Sequence, residues 1–261
     1  GDMRNTGIEL SLNADAIRTK DFDWNISLNL AQNENEVTRL SNDVFTMDKI
    51  LLGDVFIRGG SSSGTHVLEE GRPIGQFYGL VCNGIDENGR YILVDKDGDG
   101  EISDPADYDY IGSAQPKLTY GITNSFRYKN FDLSFFLRGT IGNDILNATR
   151  MAYAQSGFLP GTNALDDPLT YTLSETPRFS NYYLEKGSFM RLDNLTLGYK
   201  IKALNGIRVY FTAQNLFVIT KYKGLDPEVP MDSGDGLTPG VEPREFYPKA
   251  RTFSVGLNLN F

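Results

Sequence analysis

The sequence contains a single cysteine, Cys82, and a single histidine, His66, and this scarcity excludes several kinds of site. One cysteine cannot form an internal disulfide, so cysteine usage leaves the redox compartment open. Zinc sites built from Cys and His, and catalytic triads built on histidine, lack the residues that they require. We expect His66, which follows the flexible stretch GGSSSG (59–64), to be a solvated loop residue, and Cys82 to be buried.

Positive charge and long apolar runs are also scarce. Lys and Arg number 25 against 34 Asp and Glu, which gives a net charge of −9. This balance argues against a nucleic-acid partner, because a phosphate backbone requires clustered Lys and Arg. No run approaches the roughly 18 apolar residues of a membrane helix. The chain opens GDMRNTGIEL, without an initiator methionine or a leader, and we interpret it as a fragment of a longer protein.

Alternation of apolar and polar residues replaces helical periodicity along most of the chain. In the final segment, RTFSVGLNLNF, one face carries Phe253, Val255, Leu257, Leu259 and Phe261. The strands that this pattern predicts are about ten residues long or longer, whereas strands of soluble proteins have a mode of about 5–6 and tilted transmembrane strands need about 9–11. The other predicted strands lie near 8–16, 22–32, 117–128, 131–141, 190–202 and 207–217.

The connections between these strands alternate between short and long. We expect short turns at 18–21, 129–130 and 203–206, and long links rich in Gly, Asp, Pro and Ser at about 33–116, 142–188 and 218–249. Tight periplasmic turns and long extracellular loops are typical of membrane β-barrels. We therefore predict an all-β fold over residues 1–261: a segment of an antiparallel transmembrane β-barrel with about seven long strands. A soluble sandwich or jelly roll is the alternative, since its apolar face would meet a second sheet.

One acidic stretch, DKDGDGEISD (95–104), resembles a calcium loop. Carboxylates at loop positions 1, 3 and 5 precede a glycine at position 6, and Glu101 would offer its backbone carbonyl. Position 12 is Ala106 where a calcium loop has Glu, and no helical pattern flanks the stretch, so it is not an EF-hand sensor. The candidate calcium ligands are Asp95, Asp97, Asp99, Glu101, Asp104 and Asp107. The alternative is an Asp/Gly-rich turn whose carboxylates accept bonds from backbone N–H groups.

Carboxylate pairs and aromatic residues give weaker indications. The pairs Glu69–Glu70 and Asp166–Asp167 do not establish the spacing that glycoside hydrolysis needs, and we predict that the chain is not an enzyme. Aromatic residues of the strands could form a membrane-interface belt or pack within the sheet. Aromatic residues of the long links could stack on sugar rings or hold the links together. The link aromatics concerned are Phe158, Tyr182, Tyr183 and Tyr222.

Four segments in order resemble the C-terminal barrel portion of SusC/RagA-type TonB-dependent outer-membrane transporters. They begin EGRPIGQFYG, YLEKGSFMRL, RVYFTAQNLF and YPKARTFSVG, and they cover 70–147, 183–201, 208–229 and 247–261. The resemblance implies about the last seven strands of a large plugged barrel in a Gram-negative, Bacteroidetes-like outer membrane, with the plug and earlier strands outside this chain.

The same resemblance implies partners and ligands. It implies a SusD-like surface lipoprotein above the barrel, the TonB complex acting through the missing N-terminal region, and an oligosaccharide or peptide as the imported nutrient. The outer-membrane assembly machinery would read the terminal strand, which ends at Phe261, and the lipid bilayer would surround the apolar face. The alternative from another class is a soluble, secreted, calcium-stabilised β-sandwich module that binds glycans. We expect no cofactor other than a calcium ion.

Overall fold

The computed structural model describes residues 1–41, 46–60, 62, 64–202, 207–229, 236–244 and 247–259. The elements in chain order are β1 (Asp2–Arg18), β2 (Phe22–Arg39), β3 (Lys49–Leu52), β4 (His66–Glu69), β5 (Gln76–Leu80), β6 (Cys82–Ile85), β7 (Tyr91–Leu93), β8 (Tyr108–Ser113), β9 (Leu118–Tyr128), β10 (Phe131–Ile141), β11 (Asp144–Leu146), α1 (Ala148–Tyr153), α2 (Pro168–Thr172), a 3₁₀ helix (Asn181–Tyr183), β12 (Leu184–Lys186), β13 (Phe189–Ile201), β14 (Ile207–Thr220) and β15 (Thr252–Asn258).

Seven long strands form one antiparallel sheet in the order β1-β2-β9-β10-β13-β14-β15, which confirms the all-β prediction. Sequence neighbours in this sheet are also spatial neighbours, as expected for a meander with inserted links. β2 continues to Arg39, into the segment expected to be a loop, although apolar alternation stops near Ala31. Cross-strand ion pairs hold this extension to β1: Arg4 lies 2.5 Å from Glu36, and Arg39 lies 2.7 Å from Asp2.

The register brings the apolar residues of the seven strands onto one surface, which we call the apolar face. One of its rows joins Leu133, Leu197, Phe211 and Val255 across four neighbouring strands. The side chains of this face are widely exposed, reaching 76% at Val255. A soluble sandwich would bury such a face against a second sheet. No second sheet packs against it within the described residues, which disfavours the sandwich alternative.

The opposite surface, which we call the polar face, carries small hydroxyl and amide side chains. One row of hydrogen-bonded neighbours crosses all seven strands without an apolar residue, and its members are Asp15, Asn25, Ser125, Ser134, Thr196, Thr212 and Ser254. The sheet is therefore two-sided, as the alternation predicted. Because side chains alternate with a period of 2, the same strand register that places the apolar side chains on one face places the polar side chains on the other.

The main buried core lies in the long links rather than under the sheet. Its fully buried members include Phe77, Leu146, Met151 and Tyr183. Around this core stand a four-stranded sheet (β3-β4-β5-β8), two two-stranded sheets and the helices α1 and α2. The links thus fold into a compact unit of their own, which the sequence pattern did not predict, because each contributing segment is only three to six residues long.

The expectation for His66 was wrong, whereas the expectation for Cys82 is confirmed. His66 is 0% exposed, with Nδ1 2.9 Å from Thr65 Oγ1 and Nε2 2.9 Å from the carbonyl oxygen of Pro239. Its ring also lies 4.5 Å from the ring of Phe77. Both ring nitrogens therefore have partners, which explains why this polar ring is tolerated in the core. Cys82 is buried and free.

The links sit at the end of the sheet away from the short turns. The turn at 129–130 joins β9 to β10 directly, and the turn near 18–21 joins β1 to β2, whereas the predicted turn at 203–206 lies outside the described residues. Among the described residues, no helix has the length and apolar character needed to cross a membrane.

Candidate functional site

A cavity of about 560 Å³ lies between the polar face and the links. Ala31, Thr119 and Thr140 line it from one register row of β2, β9 and β10. Gln115, Pro227, Gly240 and Lys249 are among the link residues that complete it. The walls are therefore formed by the polar side of the sheet and by chain segments that fold back over it.

Two arginines stand side by side on the polar face, and one of them, Arg138, lines this cavity. Arg138 of β10 is paired in register with Arg191 of β13. A register shift between Leu192 and Asn194 turns Arg191 to the same side as Arg138, and the neighbouring strand accommodates it at Asn215, whose φ is 52°. Such β-bulges re-aim side chains at functional positions. Two adjacent guanidinium groups repel each other unless carboxylates lie between them.

Carboxylates from the 221–229 segment, together with Asp193 of β13, supply that compensation. Arg138 donates to Glu228 at 2.5 and 3.1 Å and to Asp193 at 3.0 Å. Arg191, only 1% exposed, donates to Asp226 at 2.6 Å and lies 2.8 Å from Glu228. The network therefore fastens the last long link to the inside surface of the sheet.

Lys249 adds a further cation to this network, 2.8 Å from Glu228. Burial would raise the pKa of the Glu228 carboxyl, but hydrogen bonds from Arg138 and Lys249 outweigh it and hold that pKa below its ordinary value. The glutamate is consequently charged near neutral pH. Sequence reasoning missed this cluster; the available signal was two arginines on strands whose polar faces otherwise carry few charges, together with the acidic segment LDPEV (225–229).

The acidic stretch brings three of its predicted ligands together. Asp95, Asp97 and Asp99 each offer a carboxylate oxygen, all lying within 4.8 Å of one another, and all three residues are exposed. Asp95 accepts backbone bonds from Gly98 at 2.6 Å and Gly100 at 2.9 Å. Both glycines have φ near +80°, a conformation that other residues rarely adopt. The Asp95 carboxylate thus stabilises the tight turn, and it also belongs to the cluster of three carboxylates on the surface of the turn.

Two of the remaining predicted ligands, Asp104 and Asp107, have other partners. Glu101 is predicted to bind through its backbone carbonyl oxygen, and its backbone N–H donates to Asp99 at 2.8 Å. Asp107 is buried and accepts from the backbone N–H groups of Ser103 and Lys96 at 2.7 and 2.6 Å, and these two bonds lower the pKa of its carboxyl. Asp104 accepts from Arg178 at 2.6 Å. The structure therefore groups the first three aspartates, whereas Asp104 and Asp107 accept hydrogen bonds from neighbouring residues of the links. Phe261 lies outside the described residues.

The aromatic residues divide between packing and exposure. Tyr183 and Tyr222 of the links are 0% and 6% exposed, which supports the interpretation that they hold the links together. At the other end of the sheet, Tyr128, Phe131 and Tyr199 form one exposed row on the apolar face. Aromatic side chains at a strand end of an apolar surface are typical of membrane-interface belts.

Two curated proteins to which the chain is similar are TonB-dependent receptors. No family model matches the chain. The chain is similar over its full length to the TonB-dependent receptor SusC of Bacteroides thetaiotaomicron, at 36% identity, and to the TonB-dependent receptor P3 of Formosa agariphila, at 32% identity. It covers 27% and 29% of those two proteins, so it spans less than a third of their length.

Solved structures agree with these relatives. The RagAB peptide transporter matches 98% of the chain with a TM-score of 0.75 and 26% identity, and the chain covers 29% of it. The RagAB peptide importer in its "open-open" state matches the same share of the chain with a TM-score of 0.72 and 25% identity. The two-sided sheet, its long links and these relatives agree with the sequence resemblance: the chain belongs to the SusC/RagA-type TonB-dependent receptors of the outer membrane.

Proposed function

We propose that this chain forms the C-terminal part of the barrel wall of an outer-membrane, TonB-dependent nutrient importer. The observation that carries the proposal is the exposed apolar face, on which Ile8 and Val255 are 75% and 76% exposed. A continuous apolar surface of this kind requires a cover. In a large membrane barrel, lipid covers the outward apolar face and the polar face lines the lumen.

In this arrangement the polar face and its cavity belong to the solute path. The arginines Arg138 and Arg191 and the carboxylates of the 221–229 segment then lie on the lumen side, near the mouth formed by the links. Their role is to hold the link against the wall, so that the opening keeps a defined shape. The chain would supply wall and mouth, while the plug and the TonB contact would come from the rest of the protein.

The partners and the nutrient follow from the same proposal. The compact unit formed by the links offers a folded surface on which a SusD-like lipoprotein could rest, and the relatives include a peptide transporter as well as SusC. We infer an oligosaccharide or a peptide as the solute. Uptake assays with labelled oligosaccharides and labelled peptides, in cells that depend on the full-length protein, distinguish the two.

Accessibility of neighbouring residues tests the orientation of the sheet. Val255 and Ser254 are adjacent on β15 and belong to opposite faces. In the full-length protein, with Cys82→Ser and any cysteine outside residues 1–261 also replaced by serine, spin labels are attached at Val255→Cys and at Ser254→Cys in proteoliposomes. We expect oxygen, which concentrates in lipid, to relax the label at 255, and a water-soluble nickel complex to relax the label at 254. Equal relaxation of both labels by the nickel complex would overturn the barrel proposal.

We also propose that Asp95, Asp97 and Asp99 bind one calcium ion at the surface of the links. Their clustering supports this, since three carboxylates within 4.8 Å repel one another and calcium accepts 6–8 oxygens. Without a position-12 glutamate, the affinity should be weak, on the order of 10⁻⁴–10⁻³ M. The ion would stiffen the turn and would not signal.

A calcium titration of thermal stability tests this second proposal. We expect millimolar calcium to raise the melting temperature of the wild type and of Asp166→Asn, an exposed acidic residue outside the turn, but not that of Asp97→Asn. An equal response of Asp97→Asn and the wild type, or no response of the wild type, would reduce the stretch to an Asp/Gly-rich turn.

A further inference from the structure

The cavity between the polar face and the links holds more cationic donors than its one carboxylate can accept. Among the described lining residues, Glu228 is the one acidic group, whereas Arg138 and Lys249 are cationic. Three cationic nitrogens converge on Oε2 of Glu228: Nη2 of Arg138 at 3.1 Å, Nε of Arg191 at 2.8 Å and Nζ of Lys249 at 2.8 Å. A carboxylate offers about four lone-pair sites on its two oxygens, so the three nitrogens compete for about two of them.

Lys249 is the donor of this group with unused capacity. Each arginine donates to a further carboxylate that does not line the cavity, Arg138 to Asp193 and Arg191 to Asp226. The Lys249 ammonium carries three N–H donors, and Glu228 is its one partner within the part of the chain that the structure describes. The Lys249 side chain is 44% exposed, against 28% for Arg138 and 1% for Arg191. A solute in the cavity therefore meets the lysine before either arginine.

The sheet fixes the backbone that carries this lysine. The side-chain amide of Asn215 donates to the carbonyl oxygens of Lys249 at 2.7 Å and of Ala250 at 3.3 Å. Oδ1 of the same asparagine accepts from Arg191, and its backbone adopts the left-handed conformation at the register shift between β13 and β14. One strand irregularity thus positions both cations. A donor on a fixed backbone loses less conformational entropy on binding than one on a mobile loop.

The rest of the cavity suits an uncharged chain attached to an anion. Its volume of about 560 Å³ lies within the roughly 300–1,000 Å³ of small-molecule sites. Its uncharged polar side chains are amides and hydroxyls, which both donate and accept hydrogen bonds: Asn33, Gln115, Thr119, Thr140 and Asn143. Pro116, Pro227 and Val229 add apolar surface. Peptide groups and sugar hydroxyls both match such a wall.

We propose that this cavity binds the carboxylate of the imported solute, with Lys249 as its primary partner. The inference rests on the proposed function, because it requires the cavity to lie on the solute path. A hydrogen bond that involves charged groups is about twice as strong as one between neutral groups, so the ammonium favours an anion over a neutral acceptor. A carboxylate is present at the C-terminus of a peptide and on each uronate unit of an acidic oligosaccharide.

Paired probes with and without the charge test the proposal on the purified full-length protein. The peptide pair is N-acetyl-trialanine with a free C-terminal carboxylate and the same peptide as its C-terminal amide. The sugar pair is trigalacturonate and its methyl ester. Calorimetric titration in detergent measures the Kd of each probe for the wild type, for Lys249→Gln and for the control Lys221→Gln. Lys221 is an exposed lysine just beyond β14 and does not line the cavity.

We expect the carboxylate member of at least one pair to bind the wild type and Lys221→Gln about tenfold more tightly than its uncharged partner. This factor is at the lower end for a hydrogen bond to a charged group, since the uncharged probe keeps a neutral acceptor. In Lys249→Gln the ratio should fall close to one. The pair that shows the preference identifies the source of the carboxylate. No preference in either pair for the wild type, or an unchanged ratio in Lys249→Gln, would overturn the inference.

Chemical labelling gives a second readout that needs no variant. Lysines of the wild type are acetylated with sulfo-N-hydroxysuccinimide acetate, and mass spectrometry compares the labelling of Lys249 and Lys221 with and without each probe. The carboxylate probe should protect Lys249 and leave Lys221 unchanged, and equal labelling of Lys249 in the presence of both members of a pair would contradict the proposal. The spin labels at 254 and 255 test the proposed function separately. Correctly oriented labels without a carboxylate preference would therefore remove this inference alone.

Discussion

The indole Nε1 of Trp24 donates a hydrogen bond to Oδ1 of Asn124 at 3.0 Å on the apolar face of the sheet. Asn124 belongs to a register row that is otherwise apolar and crosses all seven strands, and the other members are Ala14, Ile26, Phe135, Leu195, Ala213 and Phe253. Asn124 is 8% exposed, and the ring of Trp24 stacks on that of Phe126. Trp24 therefore gives the Asn124 side chain a hydrogen-bond donor in a row of otherwise apolar residues.

Separating Trp24 from Asn124 should destabilise the full-length protein in lipid. Trp24→Phe leaves the asparagine without its donor, and Asn124→Ala leaves the indole N–H without its acceptor, so each should lower the free energy of unfolding by about 1–2 kcal/mol. The double variant should lose less than the sum of the two, as measured by urea unfolding from liposomes. The control Asn29→Ala, on the polar face, should change stability by less than about 0.5 kcal/mol. Additive losses would mean that the two residues are not coupled.

The two faces of β15 should tolerate substitution very differently. Phe253 is 57% exposed on the apolar face, four residues inward from the row of Tyr128, Phe131 and Tyr199, and Ser254 follows it on the polar face. Phe253→Arg should cost about 2–4 kcal/mol if lipid surrounds the site near the bilayer midplane, because the guanidinium group loses water. Ser254→Asn should cost little, since it remains in contact with water. A folding titration into liposomes measures both, and equal tolerance at the two positions would contradict the membrane orientation.

The sheet was predictable from sequence because each of its strands carries its own signal. Alternation predicted β9 and β10 almost to the residue, with expected bounds of 117–128 and 131–141 against Leu118–Tyr128 and Phe131–Ile141. The extension of β2 was not predicted, since residues 33–39 are polar on both faces except for the buried Val37, and cross-strand ion pairs hold them in place. A pattern of hydrophobicity does not detect strands that charges stabilise.

The core of the links was not predictable in the same way. Phe77 comes from β5, Leu146 from β11 and Tyr183 from a 3₁₀ helix, and no single segment is long enough to show a period. His66 looked like a solvated residue because it follows a Gly/Ser-rich stretch. Its partner on the far side, the carbonyl oxygen of Pro239, is 173 residues away in the chain, so local sequence does not indicate it. The clustering of Asp95, Asp97 and Asp99 could be predicted because these residues lie within five positions of one another in the sequence.

Arg191 should contribute far more to stability than an exposed arginine of the same sheet. Arg191→Met leaves the buried Asp226 without its cation, and loss of one partner of a buried pair costs about 3–5 kcal/mol. Arg4→Met removes an ion pair that is exposed on both sides and should cost about 0–1 kcal/mol. Urea unfolding compares the two variants, and limited proteolysis reports whether the 221–229 segment detaches from the wall. Equal losses in the two variants would mean that the network does not anchor the link.

Glu228 should make the attachment of the last link sensitive to acid. The pKa of its carboxyl in the folded protein lies below the ordinary value of 4.5 because Arg138 and Lys249 outweigh the effect of burial. A carboxyl with a lowered folded-state pKa contributes fully to stability above its ordinary pKa, and this contribution is lost as the pH falls through the folded-state value. We therefore expect protease resistance of the 221–229 segment to stay constant from pH 7 to about pH 5 and to fall below pH 4.5. Glu228→Gln should be cleaved more readily at pH 7 and should show a smaller further change on acidification. An unaltered acid response in Glu228→Gln would assign the effect to another carboxyl.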